Sequence, residues 1–401
     1  MRKVIAILLC AASVWLSACT PDISTQEAQG SSADTSSVAA TDSPEPAVTP
    51  RCTVPIQGDM NLEYELYRDC RRAEDVFSIK EIDLPQKIGE QPILPVAFLD
   101  EDSVLVYLYK ANTNSAHLDE NLESIGRYHI GSGTYEKWIS VNRDFGCTIQ
   151  AISESYLVYR EALIQDALHF SEEQTPKNAR LCVYDRSSGE THTVFEYPEE
   201  YTGSSVSYQN QVALVQNQLY FDTVHTVDGE SATTVYCADL STFDVVPYME
   251  NAQYPMFDGN EVWVIVPDGD SHILLGTKSS TKIPLPCEIA EIAMGDAVFL
   301  KLNKGVRAND EFSTWELTDA QTGQPIMVTE QIIDDVRVDD GYLTWASYAD
   351  APVFFFDTKA DCFLRFDTLP ESSHYLRFYQ GNGFLQLWAD GEPKYYRLEK
   401  K

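Results

Sequence analysis

One unit recurs seven times along this chain, and no single motif constrains the fold as much. A turn of small or acidic residues leads into an apolar or alternating run, centred on Val104-Leu105-Val106, Leu157-Val158-Tyr159, Leu219-Tyr220-Phe221, Val262-Trp263-Val264, Val298-Phe299-Leu300, Leu343-Thr344-Trp345 and Leu385-Gln386-Leu387. From Val104 to Leu385 the steps are 53, 62, 43, 36, 45 and 42 residues, a mean near 47. Each unit continues into a second hairpin. Leu181-Cys182-Val183-Tyr184-Asp185 turns at Ser187-Ser188-Gly189 into Thr191-His192-Thr193-Val194-Phe195, and Phe354-Phe355-Phe356-Asp357 turns into Cys362-Phe363-Leu364-Arg365-Phe366. Two hairpins make four short strands, and four antiparallel strands at this period are what a β-propeller blade requires. A sandwich needs far fewer strands, and helical periodicity is confined to one segment. The expectation is an all-β, seven-bladed propeller, with six or eight blades as the alternatives.

The seventh unit has only three strands: Tyr375 to Tyr379, Phe384 to Trp388 and Lys394 to Leu398. Phe77-Ser78-Ile79-Lys80-Glu81-Ile82-Asp83-Leu84 alternates as an outer strand does and lies just before the first blade, so it is expected to complete the last blade and remove two open edges. On this blade pattern residues 76–401 resemble the propellers of bacterial lipoproteins of the TolB-like or dipeptidyl-peptidase-amino-terminal-like kind. The resemblance implies a fold and leaves activity open.

The amino terminus supplies an address. Met1-Arg2-Lys3 and the apolar run from Val4 to Leu16 form the charged head and core of a secretory signal, too short to span a bilayer. Leu16-Ser17-Ala18-Cys19 follows directly and resembles the bacterial lipobox, which implies that Cys19 becomes a diacylated (palmitate-type) first residue. Two or more acyl chains anchor a protein stably to a membrane. Residues 1–18 are thus expected to be a signal peptide and 19–50 a lipidated tether, since Thr20 to Pro50 holds hardly any bulky apolar residue and cannot order itself. Residues 51–75 form a connecting segment and 76–401 the propeller. The expected location is the extracytoplasmic face of a bacterial membrane.

The chain has 62 acidic and 29 basic residues, a net charge of −33. Removal of residues 1–18 takes Arg2 and Lys3, leaving 27 basic against 62 acidic, or −35. Such a surface repels anions, so nucleic acid is excluded as a partner and a neutral or cationic protein, peptide or glycan is favoured. Seven cysteines remain after Cys10 and Cys19. Cys52 and Cys70 bracket a short segment and are the candidate disulfide, with two free thiols as the alternative. Cys147, Cys182, Cys237, Cys287 and Cys362 show no zinc spacing and read as small core residues.

In a propeller the first-to-second and third-to-fourth strand turns share one face, while the second-to-third loops and the links between blades share the other. The first class is uniformly short. The second is long at 110–124, 161–179, 222–233 and 303–312, and loops longer than closure demands tend to carry binding. His117, His169 and His225 fall in these loops, beside Asp119, Glu120, Asp166, Glu172, Asp222 and Asp228. Acidic groups there suit a cation, but no ligand spacing supports one, so no metal and no cofactor is assigned. Glu161 to Phe170 has the apolar spacing of a short amphipathic helix, with Leu168 on its apolar side. The candidate binding face is therefore marked by His117, Asp119, Leu168, His169, His225 and Asp228.

Asp339-Asp340-Gly341-Tyr342-Leu343-Thr344-Trp345 partly resembles the Asp box of sialidase propellers, but it occurs once and reads as a plain Asp-Gly hairpin. No Gly-x-Ser-x-Gly, Walker or dinucleotide motif is present. The sequence thus points to a monomeric, membrane-tethered binding or scaffold module, with a glycan hydrolase or lyase using scattered carboxylates as the alternative. Lipidation is directly testable: Cys19→Ala should move the protein out of the membrane fraction, and mass spectrometry of the wild-type amino terminus should find an acylated Cys19.

Overall fold

The structure, a computed structural model, describes residues 49–55, 63–111, 121–141, 145–163, 179–197, 212–227, 230–269, 271–306, 313–330, 333–389 and 392–401. Among them the regular elements are β-strands and one 3-10 turn, Ala73–Asp75. Four successive stretches fold as four-stranded antiparallel meanders in chain order: Gln91–Asp100 to Thr134–Ser140, Phe145–Ile152 to Glu190–Glu196, Ala213–Val215 to Asp244–Glu250, and Gln253–Phe257 to Lys282–Leu285. A fifth runs from Ile289–Met294 to Pro325–Thr329; Lys87–Ile88 adds an edge strand to the first sheet, Cys52–Pro55 and Glu63–Leu66 extend the fifth, and the other nine strands join in one sheet. Tyr342–Ala351 explains that fusion. It is ten residues long, whereas its hairpin partner Phe354–Asp357 has four, so its far half pairs with Ser372–Tyr379 instead.

The seven repeats of the sequence are the second strands of these meanders, and they read as apolar runs because both faces are buried. Alternate side chains of a strand point to opposite sides. Val104 and Val106 enter a cluster with Phe384 and Tyr395, while Leu105 enters one with Leu157 and Tyr159. Val158 faces onward to Leu219 and Phe221, Tyr220 to Val262 and Val264, and Trp263 to Val298 and Leu300. Phe299 meets Leu343 and Trp345, and Tyr342 meets Leu376 and Leu385. Each cluster lies between one unit and the next, and the last returns to the first. This ring of radially packed meanders is a β-propeller arrangement.

The amino-terminal segment closes the ring and does more than connect. We label its strands β1 (Cys52–Pro55), β2 (Glu63–Leu66), β3 (Asp69–Arg72) and β4 (Phe77–Ile82). As the alternating pattern predicts, β4 pairs antiparallel with Glu392–Lys400, from Ile82 opposite Tyr395 to Phe77 opposite Lys400. Phe77 is fully buried against the rings of Tyr342, Phe355 and Phe378. The stretch 51–75 is itself built into the sheets: β2 pairs with Pro325–Thr329 and carries β1, and β3 lies parallel to Cys362–Arg365. Three added strands thus cover two outer edges that would otherwise leave backbone groups unpaired.

The cysteine reading needs one correction. Cys182 and Cys362 are buried and Cys147 and Cys237 half-buried, but Cys287 is exposed, because it falls in the turn between Lys282–Leu285 and Ile289–Met294 rather than in a strand. A chain beginning at residue 86 lacks the closing strand and should aggregate, whereas deletion of 20–48 should leave Tm within about 1 °C of the full chain; size-exclusion chromatography and calorimetry distinguish the two.

Candidate functional site

One end of the sheets is sealed by short turns that use up their own polar groups. In five third-to-fourth turns the carbonyl of the last strand residue accepts the N–H four residues on, at Gly133, Gly189, Phe243, Ser280 and Gly323, at 2.6 to 2.9 Å. That residue has φ between 59° at Ser280 and 74° at Gly189, the left-handed region where glycine is least strained. Carboxylates of Asp185, Asp239, Asp319 and Asp357 accept backbone N–H groups two residues on at 2.8 to 3.0 Å. The Ser187 hydroxyl and the Ser241 hydroxyl, with their backbone N–H groups, hold Asp185 and Asp239 below the usual carboxylate range. Asp340 and Gly341 both have positive φ, 54° and 83°, the geometry of the plain Asp-Gly hairpin expected there.

The opposite end carries the longer connections, but the candidate residues are placed unevenly. His117, Asp119, Leu168, His169 and Asp228 lie outside the described residues. His225 is in the strand Gln218–Val227, opposite Ala232. The expected loop 222–233 is therefore mostly a long hairpin, its strands paired from Gln218–Asp239 out to Val227–Glu230. Its Asp, Thr and His residues read as a loop because they break the apolar run, although Asp222 and Thr223 are buried in the strand. The expected helix also starts too early: Glu161 to Leu163 belong to the strand Tyr156–Leu163. The buried Glu161 carboxylate accepts from Arg180 Nη2 at 2.7 Å. A further connection at this end, 197–212, is long and was not among the four expected. Between the third and fourth sheets an open hollow of about 200 Å3 is lined by Ala232, Thr233, Asn251, Gln253, Ile265, Pro267 and His272.

Deeper, the strands hold polar groups that carry no sequence signature, and Asp222, expected in a loop, is buried among them in the strand Gln218–Val227. A bulge frees a backbone N–H from its ladder. Three such N–H groups are taken by a side chain of the preceding sheet: Ile149 by Tyr107 Oη at 3.0 Å, Tyr254 by Asp222 Oδ2 at 2.9 Å and Val336 by Glu291 Oε2 at 2.9 Å. Lys301, 1% exposed, places Nζ 2.6 Å from Glu291 Oε1, 3.1 Å from Asp334 Oδ1 and 4.5 Å above the Trp315 ring. Arg337 and Arg377 both pair with Asp335, and Arg377 Nε donates to Tyr375 Oη at 2.7 Å. Burial alone would push the Asp335 carboxyl up; the two guanidinium groups outweigh it and hold it well below the usual range. His374 donates from Nδ1 to the Ser372 carbonyl at 2.9 Å, and burial pushes it down to about 4. These charges hold the sheets in register and are engaged with one another. Among the described residues no group of three or more His, Cys, Asp or Glu is placed to hold a metal ion.

No family model matches the chain, and no curated protein matches it. Solved structures are similar to it. An acylaminoacyl peptidase is 13% identical, with a TM-score of 0.46, over 78% of this chain and 52% of that one. The β-propeller domain of the trilobed protease from Pyrococcus furiosus is 10% identical, TM-score 0.48, over 78% and 94%. TolB from Acinetobacter baumannii is 11% identical, TM-score 0.36, over 78% and 82%. The chain spans about half the length of the peptidases it matches, 52% of the acylaminoacyl and 50% of a prolyl endopeptidase. The propeller arrangement itself rests on the strand pairing and on the clusters between sheets.

Asp222, 3% exposed, has a distinct pH signature. Burial pushes its pKa up to about 6, against the opposing pull of the Tyr254 N–H and Arg160, whereas an unfolded Asp titrates near 3.9. The folded chain keeps a proton that the unfolded chain loses, so the contribution is complete below about pH 4 and is lost as pH rises to about 6. Asp222→Asn still accepts the Tyr254 N–H. It should raise stability at pH 7 by about 1–3 kcal/mol relative to its effect at pH 4, measured as a Tm difference that grows across that window; parallel Tm curves would exclude this assignment.

Proposed function

We propose that the chain is a membrane-tethered binding or scaffold module of a bacterial envelope. It is a monomeric seven-bladed propeller that offers its loop face to a protein, peptide or glycan. The seven blades are the five meanders plus two from the nine-stranded sheet: Ile333–Asp339 to Cys362–Arg365, and Ser372–Tyr379 to Glu392–Lys400 with β4. Seven clusters between neighbouring units support this count. The lipobox at Cys19 and the tether to Pro50 support an anchor on the extracytoplasmic face, with the body about 30 Å clear of the headgroups.

The observation that carries the reading is the asymmetry of the two ends. Turns seal one end and their Asp carboxylates are bound within them. The strands that flank 110–121, 164–179, 197–212 and 307–312 end at the other, as do those around the hollow lined by Asn251, Gln253 and His272. Lengths beyond what closure needs are retained there and not at the sealed end. The excess of acidic over basic residues favours a neutral or cationic partner and an attraction that weakens with salt. A glycan enzyme needs two opposed carboxylates free to act, whereas the inner-strand carboxylates Glu291, Asp334 and Asp335 are tied to Lys301, Arg337 and Arg377.

Replacing 164–178 by a tight turn should preserve the fold by circular dichroism and weaken, about tenfold or more, binding to the partner that wild-type protein captures from envelope extracts. Unchanged binding by this truncation, with loss of binding on substitution of Gly259 and Gly341 at the sealed end, would reverse the assignment of faces.

A further inference from the structure

Cys52 and Cys70 sit where the chain enters the fold, on β1 and β3. Arg51 and Asp69, the residues just before each cysteine, are in contact: Arg51 Nη1 lies 3.4 Å from Asp69 Oδ1. Both cysteines are half-buried free thiols that pack against one apolar cluster, which includes Tyr64, Phe354 and Phe363. A third cysteine, Cys362, is in the strand beside β3, but alternation sets it apart. Cys70 stands opposite Phe363 and shares its side of the sheet, whereas Cys362 stands opposite Asp69 and packs on the other side, in the cluster of Phe77 and Phe355. Cys70 therefore faces Cys52 and is separated from Cys362 by the sheet itself.

We propose that Cys52 and Cys70 are joined by a disulfide that staples the amino-terminal strands to one another across the edges of two sheets. The two thiols give up two protons and two electrons. A disulfide oxidant takes them and is itself reduced to two thiols, the exchange passing through a mixed disulfide. Burial pushes the Cys70 thiol up to about 11, with Cys52 adding to the effect, so Cys70 is a poor attacking group near neutral pH and its step speeds up as pH rises. The bond links β1, which continues the sheet of Pro325–Thr329 through β2, to β3, which edges Cys362–Arg365. Peeling of the added strands from the tether side is then blocked before it reaches β4.

The experiment uses the full chain and glutathione as the redox probe. Purified protein is incubated with oxidised glutathione at pH 7 and pH 8.5, alkylated, digested without reduction and mapped by mass spectrometry. The expected result is a peptide pair joining Cys52 to Cys70, formed several-fold faster at pH 8.5 and retained in Cys362→Ser. Its Tm should fall on adding dithiothreitol to wild type and not on adding it to Cys52→Ser. Mapping of the wild-type chain decides the pairing even where a variant fails to fold. A Cys70–Cys362 link, a glutathione adduct on Cys52 that does not resolve, or full alkylation of both Cys52 and Cys70 after oxidation overturns the proposal.

Discussion

Every second strand of this protein is buried on both faces, and the rest of the architecture follows from that constraint. Val104 and Leu105 are neighbours in sequence and belong to different clusters, one shared with Phe384 and Tyr395 and the other with Leu157 and Tyr159. A sheet with two apolar faces is stable only between two others. Any linear stack would leave a face of each terminal sheet in water, so the row must bend until its ends meet. The meeting point is the cluster of Phe98, Val104, Phe384 and Tyr395, with Phe98 and Phe384 edge to face at 5.4 Å.

Apolar packing of this kind fixes distance more firmly than register, since a strand buried on both sides can slide with small loss. Directional bonds supply what packing leaves open. Tyr107, Asp222 and Glu291 each reach from one sheet to a backbone N–H that a bulge in the next has released. A one-residue slip would leave both the N–H and the side chain buried and unpaired, at a cost of about 1–3 kcal/mol each. Lys301 adds a charge that cannot be left without Glu291 and Asp334. Some of the acidic residues are engaged in this way, Asp222 and Glu291 in bulge bonds and Asp185, Asp239, Asp319 and Asp357 in turns at the sealed end.

How much of this could be read from sequence depends on which forces left a mark in the residues. Two-sided burial leaves runs such as Val262-Trp263-Val264, and the apolar residues Phe77, Ile79, Ile82 and Leu84 spaced among polar ones mark a strand whose start packs on one cluster and whose end packs on the next, so both the repeat and the closing strand were legible. The strands β1 to β3 were not. Asp69-Cys70-Arg71-Arg72 is short and charged, and its pairing is determined by the open edge of Cys362–Arg365 rather than by a pattern of its own. The hairpin at 222–233 was obscured for a related reason, its extended arms being polar. Bulge bonds leave no spacing rule, because their partners are separated by some thirty to forty-five residues. Connection lengths marked 110–124 and 161–179 as candidates, but His117 and Leu168 lie outside the described residues; Asp222 was singled out as a loop acid, whereas it is buried in a strand, and Lys301 and Arg377 were not legible, since a charge inside a strand-like run gives no sign of its partner.

The pairing of β4 with Glu392–Lys400 has a consequence for how the molecule comes into being. Ser78 and Glu399, hydrogen-bonded across this junction, are 321 residues apart in the chain. Contacts between consecutive meanders are comparatively local and can form as soon as their residues are free to fold, but this one waits for the final strand to arrive. Until then β4 has no partner and the last sheet has a bare edge, the kind of intermediate that invites association with other chains. The maturation of this protein is therefore a race between joining its own two ends and capture by a neighbour, and the outcome depends on how well the early strand is shielded while it waits.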